Sequence, residues 1–176
     1  MDIRNENANT DRTVKVNQIV DYFDAKYEKT GIKVGTAIDE TTGEVTGELS
    51  VSNVENVNSK YNKITIDTTK LGEIAGTGEN HKTIYVKFDL SKAQIAEILN
   101  GEQSNAPLDN VAEITSYSTL QNGKPYAAID KDSIPNNSKI GEENTYEDDT
   151  DKAPSFVLHP EDDRTLSGTV FIDNAK

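Results

Sequence analysis

Apolar and polar positions alternate along most of the chain with the two-residue period of β-strands. Val14 and Val16 alternate with polar neighbours, and Ile19, Val20, Tyr22 and Phe23 follow. Ile32, Val34 and Ile38 form a second run, and Leu49 and Val51 a third. Ile64 and Ile66 make a fourth, and Ile84, Val86 and Phe88 a fifth. Breakers separate these runs at Thr42-Gly43, Gly72 and Gly76-Thr77-Gly78. One segment has a helical period instead. Ser91 stands three residues before Gln94, a pair that can satisfy each other's backbone N–H groups as a capping box. Ile95, Ile98 and Leu99 then share a face, and Asn100-Gly101 stops the run, which predicts a short helix over 91–99. Downstream, Val111–Thr119 and Pro125–Ile129 flank Asn122-Gly123. Both central residues tolerate positive φ, so this stretch predicts a hairpin closed by a type I′ turn.

The pattern predicts an all-β fold, an Ig-like antiparallel β-sandwich with one short helix, occupying residues 11–158. The first ten residues read as a disordered N-terminal segment. Residues 159–163, His-Pro-Glu-Asp-Asp, read as a linker. Leu166–Ile172 reads as one more strand, the start of a following domain. From Asp130 to Asp151 the periodicity disappears, and a loop of that length in a compact domain is either functional or disordered.

Composition narrows the picture. Only 34% of the 176 residues are hydrophobic, which suits one thin core. Thirty-one acids stand against 18 bases, a net charge of −13, which disfavours nucleic acid as a partner. That charge is uneven: residues 130–163 hold 11 acids and three Lys, a net of −8. There is no Cys, hence no disulfide, thiolate metal site or cysteine nucleophile. No apolar run reaches the roughly 18 residues that span a bilayer, so membrane insertion is not expected. The first residues do not resemble a signal peptide, and no wall-anchor motif follows, so the chain reads as cytosolic or as a fragment of something longer.

Two kinds of chemistry fit the residues. Carboxylates and amide carbonyls are hard oxygen donors of the sort calcium takes. Asp130, Asp132, Asn136, Glu147, Asp148, Asp149 and Asp151 are therefore candidate calcium ligands, although the spacing of the helix-loop-helix calcium site fails, with Pro135 and Gly141 at its key positions. A solvated, self-repelling acidic loop is the competing reading. The second is self-directed. A buried neutral Lys amine can attack an Asn carboxamide polarised by a protonated carboxylic acid, giving an intramolecular amide. Lys15, Asn110 and Glu113 are the candidates, against the plainer reading that Lys15 faces solvent and Asn110 caps a loop. Catalysis on other molecules has little to stand on. His81 and His159 lack companions at ligand spacing, no phosphate loop or nucleophile elbow occurs, and zero Trp removes the usual sugar platform. The chain is read as a non-enzyme.

The late segment also resembles a known family. Asn110–Thr119, Gly123–Ser133, Asn136-Asn137 and Tyr146–Ala153 resemble the conserved Ig-like repeats of large Gram-positive cell-surface proteins. Those repeats end in an Asn-Ala-Glu strand, an Asp-x-Asp-Ser-x-Pro loop and a Glu-Asp-Asp cluster. Arg164–Asp173 resembles the opening strand of the B-type repeats of collagen-adhesin-like and pilin-like proteins. The resemblance covers residues 104–176 well and the first hundred only loosely. It implies an extracellular, cell-wall-attached adhesin-related protein in which this domain is a stalk or spacer, with neighbouring domains of the same chain as its partners. Calcium in the acidic loop, which would stiffen the junction, and a Lys–Asn crosslink are both found in that class. The alternative implied function is a ligand-binding adhesin domain that recognises a host protein or glycan.

Overall fold

A computed structural model describes residues 1–77, 80–100, 110–127, 134–142, 146–147, 149–153, 157–158 and 166–167. Its strands are β1 (Asp2–Arg4), β2 (Arg12–Asp24), β3 (Thr30–Ile38), β4 (Val45–Glu48) and β5 (Ser50–Val51). Then come β6 (Glu55–Asn56), β7 (Tyr61–Asp67), β8 (Ile74–Ala75), β9 (His81–Thr83) and β10 (Tyr85–Asp89). Helix α1 (Lys92–Asn100) follows, and then β11 (Asn110–Gln121), β12 (Lys124–Pro125), β13 (Thr150–Ala153), β14 (Val157–Leu158) and β15 (Leu166–Ser167).

The result is an all-β sandwich of antiparallel sheets, as the alternation predicts. The larger sheet runs β12-β11-β2-β7-β5, with β13 added beside β11, and the opposing sheet runs β10-β3-β4. Ile19 and Phe23 of β2, Ile64 and Ile66 of β7, and Ala112 and Ile114 of β11 meet Val34 and Ile84 in the central core. The two longest strands carry a change of phase. Register slips between Ile114 and Tyr117 of β11, opposite Gln18 of β2. A bulge of this kind adds a residue and turns the following side chains to the other face. Val14 and Val16 therefore share the inner face with Ile19 and Phe23, although their numbers differ in parity.

Helix α1 begins where the capping box places it. The Gln94 N–H donates to Ser91 Oγ at 3.2 Å, and the Ser91 N–H donates to Gln94 Oε1 at 2.8 Å. The Asn122-Gly123 turn takes φ values of 51° and 72° and joins β11 to β12. The predicted second arm to Ile129 is described only as far as Ala127.

Two expectations need correction. The first ten residues are not all disordered: Asp2–Arg4 pairs with His81–Thr83, and Met1 and Ile3 are buried in the core. Apolar Met1 and Ile3 alternate with Asp2 and Arg4, a strand signal too short to stand out in sequence. The segment between Asp130 and Asp151 is also more than a solvated loop. Ile140 and Tyr146 pack on Val20, Tyr22 and Val111 on the outer face of the large sheet, and Thr150–Ala153 forms β13. The linker at 159–163 lies outside the described residues. Of the final strand, Leu166–Ser167 is described, and it pairs with Val157–Leu158.

Candidate functional site

The calcium candidates are only partly described: Asp130, Asp132 and Asp148 lie outside the described residues. Asn136 is an exposed turn residue with φ 64°. Glu147 Oε2 accepts the Ile134 N–H at 2.6 Å and Asn137 Nδ2 at 3.2 Å, so this carboxylate fastens the loop to itself. Asp149 is buried and accepts the Thr150 hydroxyl at 3.1 Å. Asp151 stands in β13 opposite Ala112. Among the described residues no three acidic or histidine side chains converge so as to hold a metal ion.

The crosslink candidates are not brought together. Lys15 pairs with Ser118, eight residues along β2 from Phe23, the partner of Asn110. At about 3.4 Å per residue that is roughly 27 Å. Asn110 and Glu113 are three apart in one strand, so alternation sends them to opposite faces. Glu113 is buried on the outer face, where Tyr22 Oη donates to its Oε2 at 3.4 Å and the Ser138 N–H donates to its Oε1 at 3.2 Å.

Asn110 nevertheless reaches a buried acid different from the one expected, and a buried amine lies on the ring of the residue Asn110 pairs with. Asp21 lies on the inner face of β2 and is 1% exposed. Asn110 sits across from Phe23, one diagonal step away, and its Nδ2 donates to Asp21 Oδ1 at 2.6 Å. Lys29 ends the β2–β3 connection and is 8% exposed. Its Nζ lies 4.3 Å from the centre of the Phe23 ring and 4.9 Å from that of Phe88. It has no hydrogen-bond partner among the described residues. Phe23 thus links the two: its ring carries the amine, and its backbone position faces Asn110 across the ladder. Gly31 helps to deliver Lys29 there. Its φ of 59° is one that side chains avoid, and a Cβ would run into the Asp89 carboxylate at the end of β10.

Burial decides the electrostatics. Loss of water pushes the Asp21 carboxyl up to about 6, against the opposing pull of the Asn110 hydrogen bond, the Lys29 charge and the chain's α-amine. It pushes Lys29 down to about 8, although Asp21 and Asp24 favour the charged form. Both shifts run toward the neutral forms, the acid upward and the amine downward. Asp151 looks onto the same face one strand away, beyond Ala112. The region thus sets a buried acid against a carboxamide, with a buried amine on the neighbouring aromatic rings.

Asn110 was a candidate carboxamide before a late strand, and the structure sets it against a buried acid. Asp21 and Lys29 were not singled out, although an acid inside the apolar run Ile19–Phe23 is a signal that could have found the first. Lys29 carries no such mark, because it follows Tyr27-Glu28 in a polar connection. Scans against protein-family models, curated proteins and solved structures each return no match to this chain.

Proposed function

We propose that this domain is a load-bearing stalk or spacer of a multidomain cell-wall surface protein, and that its core makes its own covalent brace between Lys29 and Asn110. The observation that carries this reading is the unpartnered Lys29 amine, buried beside an acid that is itself hydrogen-bonded to the Asn110 carboxamide. A buried cation without hydrogen bonds destabilises a fold that only has to stand still, and its persistence here calls for a use. A chain without Cys has no disulfides, and an amide between distant strands constrains the unfolded state in the same way.

The reaction balances without an outside reagent. Turning the carboxamide over exchanges its O and N, so that protonated Asp21 donates to Asn110 Oδ1. The neutral Lys29 Nζ adds to Cγ and forms the new C–N bond. Asp21, now a carboxylate, takes the proton that the attacking nitrogen sheds and passes it to Nδ2. The Cγ–Nδ2 bond breaks, ammonia leaves, Oδ1 returns its proton to Asp21, and an amide between the two side chains remains. The sandwich acts on itself, so the module needs no external substrate. The neighbouring domains of the same chain are the partners this reading requires.

Intact-mass measurement tests the proposal. The folded chain is expected to weigh about 17 Da less than its sequence, the mass of one ammonia, with a proteolytic peptide pair joined through Lys29 and Asn110. Asp21→Asn is expected to retain the full mass or to lose ammonia about 10²- to 10⁴-fold more slowly, the span of a lost general acid. A wild-type chain that keeps its full mass after prolonged incubation in the folded state rejects the crosslink.

A further inference from the structure

Three side-chain ties from one helix reach the segment before Lys29, beside the bond of the Lys26 N–H to Asp24 Oδ1 and the packing of Tyr27 on Leu90. Lys26 Nζ meets Glu97 Oε1 of α1 at 2.7 Å. Tyr27, 2% exposed, packs with Leu90 and with Ile95 and Ile98 of α1. The backbone carbonyl of Glu28 accepts Gln94 Nε2 of α1 at 3.3 Å. Three consecutive residues are thus held by three successive parts of the same helix, and the next residue is the buried amine. The same apolar cluster includes Phe88, whose ring forms one wall around Lys29 Nζ. Helix α1 lies outside both sheets, so this contact is not needed to complete a ladder.

We infer that α1 is the positioning lid of the Lys29 compartment: its docking fixes residues 26–28, aims the amine into the core and excludes water from it. Ile95 and Ile98 are the positioning residues, and Gln94 and Glu97 set the register of the lid on the segment below. This inference rests on the crosslinking reading for its consequence, but the seal on Lys29 exists with or without the reaction. An amine that leaves the compartment is hydrated and fully protonated, and no longer faces the carboxamide. Docking of α1 is therefore the step that commits the chain to the reaction, and until then Lys29 stays in solvent.

Two measurements test this separately. In the first, the double variant Ile95→Ala/Ile98→Ala is refolded and its ammonia loss followed by mass. The rate is expected to fall at least tenfold, while amide exchange in β2, β7 and β11 stays slow. The conservative pair Ile95→Leu/Ile98→Leu should retain most of the rate. An unchanged rate in a variant whose α1 amides exchange freely would overturn the lid. In the second, Lys29 reactivity toward reductive methylation is read in an Asn110→Ala background, where the amine cannot be consumed by crosslinking. Lys29 should be protected there and become at least tenfold more reactive when the two Ile→Ala changes are added. Continued protection with the helix released would sink the inference whatever the wild-type mass. A full wild-type mass, by contrast, refutes the crosslink and leaves the methylation result to judge the lid.

Discussion

Each face of the large sheet buries a carboxyl group carried by its two longest strands, Asp21 inside and Glu113 outside, and the two are bonded differently. On the outer face Glu113 accepts from the Tyr22 hydroxyl and the Ser138 N–H. Tyr22 is in turn pushed up to about 12, first by burial and then by the neighbouring Glu113. On the inner face Asp21 accepts from Asn110, and the nearby Lys29 amine has no hydrogen-bond partner among the described residues. A buried acid surrounded by fixed donors is a clamp, here one that fastens the 134–147 strap to the sheet. On the proposed reading, a buried acid bonded to a carboxamide and near a dry amine is instead a reagent. Burial is the same on both faces, so the donors supplied decide between anchor and reagent.

The largest break in that comparison is expected from Asn110→Ala, which removes the electrophile. The brace closes a loop of about 80 residues, and its loss should cost about 4–5 kcal/mol, or a fall in melting midpoint of about 10–20 °C. Calorimetry of the variant beside the wild type measures this.

The next effect is a pH signature. In the Asn110→Ala chain Lys29 is again a free amine, with a folded pKa near 8 against the ordinary 10.5. The folded state then binds fewer protons than the unfolded state between those two values, so stability rises with pH across that window. The expected gain is about 3 kcal/mol, in full below the folded pKa as a penalty and gone above the unfolded one. The wild type has no amine at this position once crosslinked and should lack the gain. Equal pH slopes for the two chains above pH 8 would contradict the assignment of Lys29.

A smaller loss is expected on the outer face. Glu113→Ala leaves the Tyr22 hydroxyl and the Ser138 N–H without their acceptor and opens a cavity, at a cost of about 2 kcal/mol in denaturant unfolding. Its mass should still show the missing ammonia, because the outer clamp takes no part in the inner chemistry. Smallest of all is Lys15→Ala, which should leave the mass deficit in place and change stability by no more than about 0.5 kcal/mol. A full mass for this variant would restore Lys15 to the reaction and remove Lys29 from it.

Much of the fold was legible because strands write their faces into the sequence. Ile64 and Ile66 alternate toward the core as their spacing requires, the Ser91–Gln94 box caps α1, and Asn122-Gly123 makes its turn. The strand Asp2–Arg4 escaped notice because three residues carry too little pattern. The strap escaped because its apolar anchors, Ile140 and Tyr146, are isolated among acids and gain their meaning only from the sheet beneath them. No helix among the described residues is long and apolar enough to cross a membrane, in keeping with the absence of a long apolar run.

The candidate site divides along the same line. The chain by itself offered a Lys–Asn reaction with a buried acid as a candidate chemistry, and it named Asn110 as the candidate carboxamide. It could not choose the acid or the amine, since that choice depends on parity and distance. Alternation along β11 turned Glu113 away from Asn110. The ladder to β2 placed Asp21 one diagonal from Asn110 and left Lys15 at the far end of the strand. A connection held by α1 brought Lys29 back over Phe23. Reactive groups meet across strands that are far apart in sequence, and only register, bulges and the docking of a helix fix which of them share one dry compartment.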